Sequence, residues 1–149
     1  GALCATISDC IRDEETIKIN NQILIYPSLD YTLASESICL NGDGYLLQKE
    51  KIEWYFDHYF APGENRKKAS PLFMTFTPDL PITLVITAEF CPLKDEGIAY
   101  VRKLKNAGVI CSHLHFDDMI HAFLNMEDLV KEECTRVYEN ISVFLKSSH

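Results

Sequence analysis

The sequence lacks most of the features that would assign it at a glance. No stretch of its 149 residues approaches the roughly 20 apolar positions of a membrane-spanning helix. No basic-then-apolar leader opens it either. Cations are in deficit: 14 Lys and Arg against 22 Asp and Glu give a net charge of −8. An acidic surface repels phosphate backbones, which argues against a nucleic-acid partner. The one basic run, Arg66-Lys67-Lys68, reads as a solvated loop. The six cysteines, at 4, 10, 39, 91, 111 and 134, form no CxxC pair and stand at no zinc-ligand spacing with histidine. Several lie in apolar stretches, where a free thiol acts as a small hydrophobe, and a reduced, cytoplasmic setting is the simplest reading. Neither a metal nor a cofactor is expected. No serine has a glycine two residues away on both sides, so no nucleophile elbow lies within the sequence. Repeats and low-complexity tracts are absent, and so is an initiating Met. Ala2 to Arg12 reads as a buried helix without a preceding cap, as expected of a piece of a longer chain.

What remains is a chain that is 47% hydrophobic, enough for one domain with a real core. Asp13-Glu14-Glu15 is a polar break after the first helix. Asn21–Tyr26 (NQILIY), ended by Pro27, reads as a strand. Residues 28–44 read as irregular, with Asn41-Gly42-Asp43-Gly44 marking turns. Leu46–Phe60 has apolar residues at 52, 55, 56, 59 and 60, a helical spacing, with Trp54 and His58 on its flanks. Ala61–Asp79 reads as a long loop, a lid or a packing strap. Pro81–Ala88 (PITLVITA) is apolar nearly throughout, as a parallel strand covered on both faces should be. Pro92 fits the first position of a helix, which makes Cys91 its N-cap, and Gly108 ends that helix. Val109–Phe116 is a further strand. Asn125 can cap a last helix with an apolar stripe through 126, 129, 130, 134, 137, 138, 141, 144 and 145. This alternation predicts an α/β fold: a three-layer α/β/α arrangement with a parallel sheet of about three strands and four or more helices. The first strand would have an apolar open edge, to be covered by a second copy or by segments outside this sequence.

Two segments carry the chemistry. Ile86–Gly97 (ITAEFCPLKDEG) and His115–Phe123 (HFDDMIHAF) each read as a buried strand running into a loop, the place where α/β proteins gather functional groups. The second presents His121. His58, on an aromatic helix, reads as packing. His113 and His115 alternate on one strand face and could hold a metal only with a third ligand that the spacing does not supply. Asp95 and Glu96 fit a helix first turn, where carboxylates favour the dipole.

Taken in order, these residues resemble a known family. Ile25-Tyr26-Pro27 with Leu29-Asp30, Trp54 with Asp57-His58-Tyr59, and Ala69-Ser70-Pro71-Leu72 are similar to segments of α/β-hydrolases of the hormone-sensitive-lipase type. So are Ile86-Thr87-Ala88-Glu89-Phe90, Pro92-Leu93-x-Asp95-Glu96-Gly97 and Met119-Ile120-His121-x-Phe123. The resemblance runs end to end and implies carboxylesterases and lipases acting on short acyl esters, hence a small-molecule ester substrate. It implies that residues 1–149 are the C-terminal part of one hydrolase domain, with 28–79 near the substrate cap. Gly1 then resembles the last glycine of a G-D-S-A-G-G elbow, its serine three residues upstream. His121 matches the catalytic histidine, general base toward that serine and then general acid toward the leaving alkoxide. At the position of the family's catalytic Asp stands Cys91. Three readings of that residue stay open: an inert buried thiol, a thiolate favoured by a helix N-terminus, or a site whose acid comes instead from Glu89, Asp95 or Asp117. The resemblance thus gives a carboxylic-ester hydrolase, inactive as this segment alone, or a degenerate pseudo-hydrolase serving as a binding or scaffold module.

Overall fold

The computed structural model describes residues 1–14 and 16–147; Glu15, part of the predicted polar break, lies outside the described residues. Three parallel strands, β1 (Asn21–Ile25), β2 (Ile82–Phe90) and β3 (Cys111–Ile120), form one sheet in the order β1-β2-β3. The apolar run PITLVITA takes the centre, where both faces are covered and residues 83 to 88 are all buried. Around the sheet run α1 (Ala2–Cys10), α2 (Glu36–Asn41), α3 (Lys49–Tyr59), α4 (Arg66–Ala69), α5 (Lys94–Asn106) and α6 (Lys131–Ser147). Short 3-10 turns lie at Pro71–Phe73 and Phe123–Met126.

Side chains alternate across the strands, so the sheet builds two cores. On one face Leu24 and Val85 pack against Ala5 of α1 and against Tyr100, Val101 and Leu104 of α5. On the other, Leu84, Ile86 and Ala88 meet Ile52 and Phe56 of α3 and Cys134, Val137 and Phe144 of α6. The predicted three-layer arrangement with a parallel sheet is the observed one.

Several expectations need correction. Residues 28–44 are not wholly irregular: α2 forms there, too short for a periodic signal and held by hydrogen bonds from distant residues. The loop 61–79 contains α4, capped by Asn65 through its contact with the Lys68 amide, and the 3-10 turn at Pro71. Cys91 is not the N-cap of α5; Pro92-Leu93 form a preceding turn, closed by Lys94 N–H donating to Cys91 O (3.1 Å), and the cap is Leu93. Asn125 does not cap α6, which starts only at Lys131; Asn125 sits in the 3-10 turn that follows β3. Leu129, Tyr138 and Leu145 of the expected stripe are exposed. On α3, Tyr55 and Tyr59 are exposed with Trp54, because Ile52 and Phe56 alone face the core. His58 is exposed too, its ring against Trp54 (centroids 4.1 Å) rather than in a core.

Strand β3 runs four residues past the expected Phe116. Ala88 pairs with Phe116 but Phe90 pairs with Ile120, so β3 takes four steps where β2 takes two. The two surplus residues bulge, and the bend brings the end of β3 over the end of β2.

Candidate active site

Cys91 leaves β2 and His121 leaves β3 at the same end of the sheet, the C-terminal end of parallel strands. The Cys91 Sγ lies 3.1 Å from His121 Nδ1. The same sulfur accepts the Leu93 N–H at 3.4 Å. Cys91 is only 1% exposed, and burial pushes its thiol up to about 12. This disfavours the thiolate reading, because the dehydration of a buried sulfur outweighs the single backbone donor. With its proton retained, the thiol has one hydrogen to give and Nδ1 as the acceptor in reach. That favours the imidazole tautomer with the proton on Nε2.

His121 is half-buried, and burial brings its pKa down to about 4. The ring of Tyr26 lies against it, centroids 4.7 Å apart and planes tilted by 58°. Tyr26 ends β1 at φ 33°, with its amide on Ile86 O (2.8 Å); its hydroxyl engages the Leu124 backbone. Phe123, fully buried, props Tyr26 and Phe116 from below. Between His121 and Phe123 the chain turns through Ala122 at φ 63°, a left-handed conformation that lets successive side chains take these two places.

The candidate substitute acids are engaged elsewhere. Glu89 binds Lys94 (2.8 Å) and His115 (3.1 Å), and these contacts, Lys94 foremost, hold its carboxyl below the usual range. Asp95 accepts the Ser37 N–H at 2.7 Å. Asp117 is almost fully exposed and lies 3.5 Å from His115. Among the described residues none of the three contacts His121. His113 and His115 do share a face, but both turn to one hydroxyl: Thr87 Oγ1 lies 2.8 Å from His113 Nε2 and 2.7 Å from His115 Nδ1. Among the described residues no group of three or more His, Cys, Asp or Glu could hold a metal.

One residue read only as a favourable first-turn charge has a larger place. Glu96 is 1% exposed, and its two oxygens accept the Leu29 and Asp30 amides at 3.1 Å each. Burial pushes its pKa up to about 8, against those two donors. At the start of the chain a Cβ on Gly1 would lie 2.6 Å from Pro27 Cβ, so Gly1 fits directly against the residue that follows Tyr26.

A family model described as alpha/beta hydrolase fold matches residues 1–125. The chain is an α/β-hydrolase. It belongs to the hormone-sensitive-lipase-like branch of that family. Ethyl acetate hydrolase of Pseudomonas putida is 32% identical over 113 residues, 74% of this hydrolase chain and 36% of the relative. Carboxylic ester hydrolase LipN of Mycobacterium tuberculosis is 33% identical over 111 residues, 72% of this chain and 30% of its own length. An esterase from Pyrobaculum calidifontis superposes with a TM-score of 0.86 at 28% identity, covering 98% of this hydrolase and 49% of that chain. The chain thus spans between 30% and 49% of the length of these relatives. No helix among the described residues is long and apolar enough to cross a membrane.

Proposed function

We propose that this α/β-hydrolase acts on carboxylic esters through an acyl-serine mechanism, with His121 as general base and Cys91 in the place of the triad acid. The observation that carries this is the 3.1 Å contact between the side chains that end β2 and β3. An imidazole held at Nδ1 by a neighbour has Nε2 for the reaction, and in the tautomer protonated on Nδ1 it can take the proton of a serine and return it to the leaving alkoxide. No serine of residues 1–149 has the elbow pattern. The nucleophile is proposed to precede Gly1: three residues reach at most about 10 Å, and Gly1 rests on Pro27 beside the Tyr26 ring that touches His121. Residues 28–79 are proposed to border the substrate, in keeping with the exposed aromatic face of α3. The open edge of β1 is proposed to pair with preceding polypeptide or a second copy.

Substituting a thiol for a carboxylate has a definite chemical consequence. The base needs a free lone pair on Nε2, hence a proton on Nδ1. A carboxylate accepts that proton and stabilises the imidazolium that forms; a protonated thiol offers its own hydrogen and selects the other tautomer. The buried thiol therefore also favours a second reading, in which the protein binds esters or a partner without turnover.

The test is ester hydrolysis by the longest native form of the protein. With p-nitrophenyl acetate, His121→Ala should abolish activity, and Cys91→Asp should raise kcat/KM by roughly 10² or more, wrong-tautomer triads in serine proteases losing about 10⁴. Activity that survives His121→Ala sinks the assignment. Activity lost with His121→Ala but unmoved by Cys91→Asp removes position 91 from it. No turnover in either Cys or Asp form leaves the binding reading.

A further inference from the structure

Helices α2 and α5 finish each other. Each begins with amide groups that its own turns cannot satisfy. Ser37, the second residue of α2, gives its N–H to Asp95 Oδ2 at 2.7 Å. Asp95, the second residue of α5, gives its N–H to Ser37 Oγ at 3.2 Å. Neither helix has a side-chain cap of its own at Ser35 or Leu93. The pair is a capping box in which the two halves come from residues 58 positions apart. Ser37 is fully buried, and its hydroxyl goes on to donate to Pro92 O at 2.6 Å. One turn later Asn41, 8% exposed, gives its amide to Glu89 O (2.9 Å) and Cys91 O (3.4 Å). The backbone from Glu89 to Asp95 is therefore gripped along its length by two side chains of a six-residue helix.

We infer that Ser37 and Asn41 are positioning residues for the active site, holding the turn that sets the side chain of position 91 against His121 Nδ1. The inference rests on the site assigned above, and it extends that assignment to a helix whose side chains hydrogen-bond the backbone of the turn rather than Cys91 Sγ or the imidazole. A helix of six residues has little stability alone; its partners are the carbonyls of the turn, and the benefit runs in both directions. Loosening the grip lets the Cys91–Leu93 turn relax, so the thiol no longer has to meet Nδ1 and water can reach the ring.

The test reads His121 directly, by ¹⁵N NMR of histidine-labelled native-length protein. Unmodified protein should show one dominant His121 tautomer and a ring that titrates well below the ordinary histidine value. Ser37→Ala and the near-isosteric Asn41→Asp should move the His121 ¹⁵N shifts toward a tautomer mixture and raise its titration midpoint by at least one pH unit. Asp95→Asn, which keeps an acceptor for the Ser37 amide, should leave His121 nearly as it was. Val101→Ala, in the core on the far side of α5, serves as a control that lowers Tm without touching the turn. If Ser37→Ala and Asn41→Asp lower Tm as Val101→Ala does while His121 keeps its tautomer and midpoint, the inference is overturned. Should Ser37→Ala fail to fold, Asn41→Asp decides alone; should it fail too, the grip is structural and the inference falls. The readout needs no ester turnover, so it separates from the functional test: His121→Ala can fail to affect hydrolysis while the positioning holds, or the reverse.

Discussion

At the scale of the residue, the local backbone carries a cost that one substitution should expose. Ala122 sits at φ 63° directly after His121. A side chain in the left-handed region costs roughly 1–2 kcal/mol, while glycine adds about 0.4–1 kcal/mol of freedom to the unfolded chain. Ala122→Gly should therefore stabilise the fold by a net of about 0.5–1 kcal/mol, measured as a higher urea midpoint at unchanged slope. A lower midpoint would mean that the alanine methyl contributes packing that outweighs the strain. At this scale the sequence was partly transparent. His121 stands out as a candidate because it lies in a loop after a predicted strand and within the Met119-Ile120-His121-x-Phe123 resemblance. Cys91 was legible only as a departure from a motif. Its protonation was not, since the dehydration that decides it comes from the packing around the turn. Glu96 was missed for the same reason: a first-turn acid and a buried clamp on Leu29 and Asp30 read alike in one dimension.

Among the elements, the strands announced themselves and the smaller helices did not. NQILIY and PITLVITA are short apolar runs between turn residues, and their periodicity is intrinsic to the chain. The bulge of β3 is set by its pairing with β2, so the strand was read four residues short. Helix α2 owes its existence to Asp95 and to the carbonyls of another turn, none of which neighbour it in sequence. The start of α6 was placed too early because Asn125 has the chemistry of a cap, yet a left-handed residue at Ala122 commits that stretch to a 3-10 turn first. The joint between α5 and β2 is tight and gives a second test. A Cβ on Gly97 would lie 2.8 Å from Thr87 Cγ2. Thr87 is β-branched, 1% exposed and bonded through its hydroxyl to two histidines, so it has no rotamer into which to retreat. Gly97→Ala should destabilise by about 1–3 kcal/mol despite the better helix propensity of alanine. A stabilised variant in chemical denaturation would show that α5 can slide on the sheet.

For the molecule as a whole, buried titrating groups shape the dependence of stability on pH. His121 has a folded pKa of about 4, below the ordinary histidine value, and burial lowers His113 as well. The unfolded chain then binds protons more readily than the folded one as pH falls from about 6.5. Their contribution is complete above that pH and is lost on acidification, for His121 toward about 4. Glu96 has the opposite sign. Its folded pKa of about 8 lies above the ordinary carboxyl value, so its contribution is complete below about 4.5 and is lost as pH rises through 8. Thermal unfolding should be latest near pH 6 to 7 and earlier on both sides. Glu96→Gln should flatten the alkaline side and steepen the acid side between about pH 4.5 and 6.5, where Glu96 opposes the histidines. An unaltered decline from pH 6.5 to 8 in that variant would remove Glu96 as its cause.

The hydroxyl between the two strand histidines carries a direction. Glu89 can only accept from His115, which fixes the ring proton of His115 on Nε2 and leaves Nδ1 to receive the Thr87 hydrogen. The Thr87 oxygen must then receive from His113, so one carboxylate at the end of the sheet sets the direction of the hydrogen bonds from His115 through Thr87 to His113. With His115 neutral the string reads one way. A second proton on His115 would turn its Nδ1 into a donor, and the Thr87 hydrogen would then have to turn to His113 Nε2, with the His113 proton moving to Nδ1. A proton added at one end of this string therefore does not simply add charge; it reverses the hydrogen bonds between β2 and β3.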